Sequence, residues 1–135
     1  MQFQAYIAIF GSEQIVRAIH EDTNIPGAGF RQYEKVTAQV SPTGLGKPWG
    51  WKTARITITG DLDHGLQDLL SGHGKLFTVV SKHREPTTYV SLVLIAQHEE
   101  GDQPHGVFLS HSTIALLDKL GAGFDYDVVQ MMQGS

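Results

Sequence analysis

The chain has 135 residues, 41% of them hydrophobic and 18% charged, a balance that suits one folded domain better than a disordered chain. It contains no cysteine, so disulfides, thiolate nucleophiles and thiolate-bound zinc or iron–sulfur clusters are excluded. The formal charge is −4, opposite in sign to that of most nucleic-acid-binding domains.

The opening residues, MQFQAYIAIF, lack a basic leader region, and their apolar run stops at Gly11 and Ser12. That pattern predicts a buried strand over Phe3–Phe10 rather than a signal peptide or a membrane span. Ser12 is placed to cap a helix in which Ile15, Val16 and Ile19 share one face. Strands are predicted about Tyr33–Val40 and over Arg55–Thr59, where Ile56 and Ile58 fall on one side and Arg55, Thr57 and Thr59 on the other. Asp61 or Asp63 can cap a second helix, with Leu62, Leu66, Leu69 and Leu70 at helical spacing and Gly72 as its stop. Gly65 inside that helix costs about 1 kcal/mol relative to alanine.

Leu76–Lys82 reads as a further strand, and Tyr89–Ala96, apolar on both faces, as a central one. Glu99–Gly106 is a polar turn. Ser110 then caps a third helix with Ile114, Leu117 and Leu120 as its buried stripe and Gly121 as its end. In the final strand Phe124, Tyr126 and Val128 alternate with Asp125 and Asp127, which leaves one face wet. The order β-α-β-β-α-β-β-α-β implies an α+β fold: a mainly antiparallel sheet with about three helices packed on one face, as a single domain over 1–133. The cytoplasm is the expected location.

Three runs, GDLDHGLQDLLSGHGKLFTVV, TYVSLVLIA and GVFLSHSTIALLDKLGAGFDYDVV, resemble the bacterial domain-of-unknown-function family 4279. The resemblance is good over residues 49–130 and looser over 3–48. It implies a small domain with a tryptophan-bearing middle strand, a leucine-rich helix and a terminal helix-to-acidic-strand unit. Some members of that family resemble immunity proteins of bacterial toxins, which implies an antidote-like role. The shared residues are packing and capping features, so they speak to fold more than to activity.

The candidate chemistries are few. His98, His105 and His111 flank the Glu99–Asp102 turn, but their spacing matches no recognised metal-ligand pattern, so no metal or cofactor is expected. The segment TGLGKPW fails as a phosphate-binding loop, because Ser41 and Pro48 stand where a glycine and a hydroxyl residue are needed. Capping accounts for Ser110 beside His111 and Ser112, and neighbouring helix residues point apart, which argues against a nucleophile. The carboxylate pairs Asp61/Asp63 and Asp125/Asp127 read as solubilising rather than catalytic.

Charge is unevenly spread. Residues 31–55 hold Arg31, Lys35, Lys47, Lys52 and Arg55 against Glu34, a local charge of +4, so the remainder carries −8. Phe30, Tyr33, Lys35, Lys47, Trp49, Trp51, Lys52 and Arg55 interleave bases with aromatics, a pattern able to hold single-stranded nucleic acid or a small ligand. From Ala96 onward Lys119 is the one base.

These features point to a non-catalytic protein-binding domain, such as an antidote that occludes a toxin. Glu99, Glu100 and Asp102 would face a basic protein partner, and Trp49 and Trp51 would stand in the core or at an interface. The alternative is a small-ligand or nucleic-acid module built on the Trp49–Arg55 strand.

Overall fold

A computed structural model describes residues 2–33, 48–99, 101 and 106–130. These residues form six strands and four helices: β1 (Gln2–Gly11), α1 (Glu13–Thr23), β2 (Gly29–Gln32), β3 (Trp49–Lys52), β4 (Ile56–Ile58), α2 (Leu62–Gly72), α3 (Gly74–His83), β5 (Tyr89–His98), α4 (His111–Leu120) and β6 (Ala122–Gln130). The class is α+β. The sheet runs β2-β3-β1-β5-β6, with β4 joining β1 beyond β3. Every pairing is antiparallel except β5 with β6, which α4 connects as a parallel crossover.

Strand alternation divides the sheet into two faces. Ala5, Ile7 and Ile9 of β1 and Val90, Leu92 and Leu94 of β5 point to one side, where they meet apolar residues from all four helices. Leu66 and Leu70 of α2, Leu76 and Val80 of α3, and Ile19 and Val16 of α1 are fully enclosed there. Each such side chain contributes about 1.5–3 kcal/mol, which makes this layer the main source of stability. β5 is buried along most of its length between β1 and β6, as its two-sided apolarity predicts. The opposite face carries a smaller cluster, Ala8, Val93 and Ile95, flanked by Tyr6 and Phe10.

The helix ends follow the capping residues. Ser12, Asp61 and Ser110 each accept a hydrogen bond from a first-turn backbone N–H, those of Ile15, His64 and Thr113. Gly121 closes α4 in the left-handed conformation at φ 70°. Gly65 has a steric reason: a Cβ there would lie 2.5 Å from Cγ2 of Ile58, so its absence lets α2 settle on β4.

Two sequence expectations need correction, and a third falls largely outside the described residues. Leu76–Lys82 is helical, within α3; Leu76, Val79 and Val80 recur at helical spacing and are the residues that α3 buries, and this outweighs the β-branched character of the run. The helices therefore number four among the described residues. Ile114 is 50% exposed, and the buried stripe of α4 is Thr113, Leu117 and Leu120. The predicted strand about Tyr33–Val40 lies outside the described residues beyond position 33, and the strand seen before it is β2.

Candidate functional site

The site begins with a fault in strand pairing. Ala8 of β1 is opposite Lys52, and Ala5 is opposite Ile56. Thr53, Ala54 and Arg55 therefore face only Tyr6 and Ile7, so β3 and β4 form one strand interrupted by a β-bulge. Thr53 holds the bulge closed. Its backbone N–H donates to the Ile7 carbonyl at 3.0 Å, and its Oγ1 accepts from the Ile7 N–H at 3.0 Å. Both bonds are made by buried residues.

The extra residue changes which side chains share a face. Lys52 and Arg55 stand three apart, which a regular strand would place on opposite sides. The bulge brings both to the face away from the helices, where their charged ends lie 5.7 and 5.4 Å from the centre of the Tyr6 ring. It also keeps both Trp51 and Ile58 in the core on the other side.

A third cation joins from β2. Arg31 is opposite Gly50 and packs its guanidinium 4.5 Å above the Tyr33 ring. Tyr33 in turn contacts Phe10 across β3, with ring centres 5.6 Å apart. The two rings meet because position 50 has no side chain; a Cβ there would collide with Tyr33 and come within 2.9 Å of Phe10. Arg31, Tyr33, Gly50, Lys52, Ala54 and Arg55 line a cleft of about 360 Å³. Among the described residues Arg31, Lys52 and Arg55 form no ion pair. Burial pushes the Tyr6 phenol above its ordinary value; Arg55 pulls it down, while Tyr33, Asp127 and Asp125 add to the rise. Tyr6 therefore keeps its proton at neutral pH and is a hydrogen-bond donor.

The chain matches no known protein-family model and no curated protein.

The residues singled out from sequence divide sharply. Trp51 is 1% exposed and belongs to the core, its indole N–H donating to Nδ1 of His20 at 3.2 Å, so it offers no binding surface. Trp49 is half-buried beside Phe30, on the helix side of the sheet. Phe30 also receives the edge of His20 and the guanidinium of Arg17. Lys52, Arg55 and Tyr33 do come together in the cleft. Lys35, Lys47, Glu100, Asp102 and His105 lie outside the described residues. Glu99 is exposed beyond the end of β5. Among the described residues no group of three histidine or carboxylate side chains is arranged to hold a metal ion. No helix among them is long and apolar enough to cross a membrane.

Tyr6 and Phe10 are functional-site residues outside the sequence expectations; their one signal is that both are aromatic residues on the same side of a strand that otherwise buries its other side. Arg31 shows in the sequence only as a charge.

The carboxylates do different work. Asp63 reaches from α2 to the start of α4, accepting from the Ser110 N–H at 2.9 Å and the Thr113 hydroxyl at 2.7 Å, with Gln67 donating to its other oxygen. These bonds, the Ser110 backbone bond first, hold its carboxyl below the usual aspartate value. Asp125 accepts from the Tyr89 and Ser91 hydroxyls on the same face as the cleft but beyond β1 and β5, on β6. Asp22 of α1 pairs with His83 of α3 at 2.6 Å, and that bond lowers its carboxyl.

Proposed function

We propose that this chain is a non-catalytic binding domain that holds an anionic ligand in the cleft between β2 and the β3–β4 bulge. The carrying observation is the convergence of Arg31, Lys52 and Arg55 on one concave surface with no counter-ion among the described residues. Cations held over tyrosine faces are positioned before a ligand arrives, which lowers the ordering cost of binding. A non-catalytic role is supported by the makeup of the lining: it has no histidine or carboxylate among the described residues, and the nearby Tyr6 phenol is held protonated. This reading develops the small-ligand alternative of the Trp49–Arg55 strand. Of the acidic turn that suggested a basic protein partner, Glu99, Gly101 and Gly106 are described, and Glu99 is the one acid among them.

An amide-resolved NMR titration with acetate, phosphate and pyrophosphate tests the reading. The amides of Gly29, Gly50, Lys52 and Ala54 should shift first and most, and more for each increase in ligand charge. Shifts spread evenly over the surface, or concentrated on α3 and α4, would refute it.

A further inference from the structure

We infer that the ligand is a compact polyanion of the phosphate class, a small molecule bearing one or two phosphoryl groups, rather than a strand of nucleic acid or an acidic protein surface. The inference rests on the anion-binding reading above and narrows it by three features of the face.

The first is size. At about 360 Å³ the cleft sits near the lower end of small-molecule sites, which run from about 300 to 1,000 Å³. It suits a group such as pyrophosphate or a small phosphate ester.

The second is the state of the aromatic rings. Binding single-stranded nucleic acid without sequence preference combines phosphate contacts with bases stacked on aromatic rings. Here Tyr6 is covered by Lys52 and Arg55, and Tyr33 by Arg31. Trp51 is buried and Trp49 faces the helix side. Tyr6 and Tyr33 thus serve their own cations, Phe10 packs against Tyr33, and the guanidinium edges remain to meet phosphate oxygens. Arg31 and Arg55 present planar forks that match a phosphoryl group with two parallel bonds, and Lys52 adds a point charge.

The third is a boundary. Tyr6 is opposite Val93, which is opposite Asp125, and Asp127 follows on the same face of β6. Both carboxylates act on the Tyr6 phenol from that side. A long polyanion laid across the sheet would leave the cations and, past β1 and β5, meet these acids on β6. A compact one stays within the positive end.

Isothermal titration calorimetry with inorganic pyrophosphate, a short oligothymidylate and an oligoglutamate peptide separates the possibilities. The comparison uses the intact chain and the variants Arg55→Gln, Lys52→Gln and, as a control on α4, Lys119→Gln. Positions 52, 55 and 119 are exposed, and unfolding curves check that each variant is folded. Pyrophosphate should bind with one-to-one stoichiometry. Its Kd should rise about tenfold or more in Arg55→Gln and Lys52→Gln and stay level in Lys119→Gln. Tighter binding of the oligothymidylate that grows with its length, or tighter binding of oligoglutamate, would overturn this inference while leaving the anion-binding reading in place. If none of the three binds, or if the substitutions at 52 and 55 change nothing, both fall.

Discussion

Replacing Thr53 with valine removes one oxygen from the bulge and leaves the side chain nearly the same shape. In the native chain that oxygen is the partner of the Ile7 N–H, at 3.0 Å and out of contact with water. Valine offers no acceptor, so a buried donor is stranded; such a group costs about 1–3 kcal/mol. Against a total of about 5–15 kcal/mol for a domain, that loss is readily measured. Urea unfolding followed by tryptophan fluorescence should show a lower midpoint with the slope unchanged, since the surface exposed on unfolding is the same. Two comparisons isolate the cause. Thr53→Ser keeps the hydroxyl and should lose less than Thr53→Val. Thr57→Val, on the exposed side of β4, should stay within about 0.5 kcal/mol of the parent. If Thr53→Val unfolds with the parent midpoint, or if serine costs as much as valine, the hydroxyl is not what closes the bulge and the account of how Arg55 is aimed fails with it.

Two further outcomes follow from contacts elsewhere. Gly65→Ala should destabilise the chain, because the overpacking against Ile58, about 1–3 kcal/mol, meets or exceeds the helix-propensity gain of about 1 kcal/mol; a raised melting temperature would show that α2 can move off β4 at no cost. Asp63 has a depressed carboxyl in the folded chain, so its contribution to stability is present above the unfolded value near 3.8 and is lost as pH falls through the folded value. Stability of Asp63→Asn measured by urea melts from pH 5 downward should therefore fall less steeply than the parent's, and an equal slope would count against the α2–α4 bonds.

Much of the frame could be read from single residues, because capping and alternation are local. Ser12, Asp61, Ser110 and Gly121 mark helix ends through bonds made within a few positions. The run over Leu76–Lys82 misled because valine and threonine favour strands, while the deciding fact, that Leu76, Val79 and Val80 meet a shared core, is tertiary. The site was harder for the same reason. Trp51 sits at an odd position and Ile58 at an even one, yet both face the core. That mismatch of parity in one strand was the visible trace of the bulge, but it signifies one only once β3 and β4 are known to share β1 as neighbour. Tyr6 acquires its cations from a segment more than forty positions away, which no local pattern encodes.

The bare backbone at Gly50 has a consequence for how this surface can change over time. Phe10 lies on β1 and Tyr33 just past the end of β2, two strands that are not neighbours, and the rings touch only across the gap that position 50 leaves. The three positions therefore form one unit of variation. A lineage that acquires a side chain at 50 must reduce 10 or 33, and with Tyr33 displaced, Arg31 loses the ring beneath it. Sequences sharing this fold should sort into two groups, one with glycine at 50 and aromatics at both 10 and 33, the other with neither. Arginine at 31 should keep company with the first group alone.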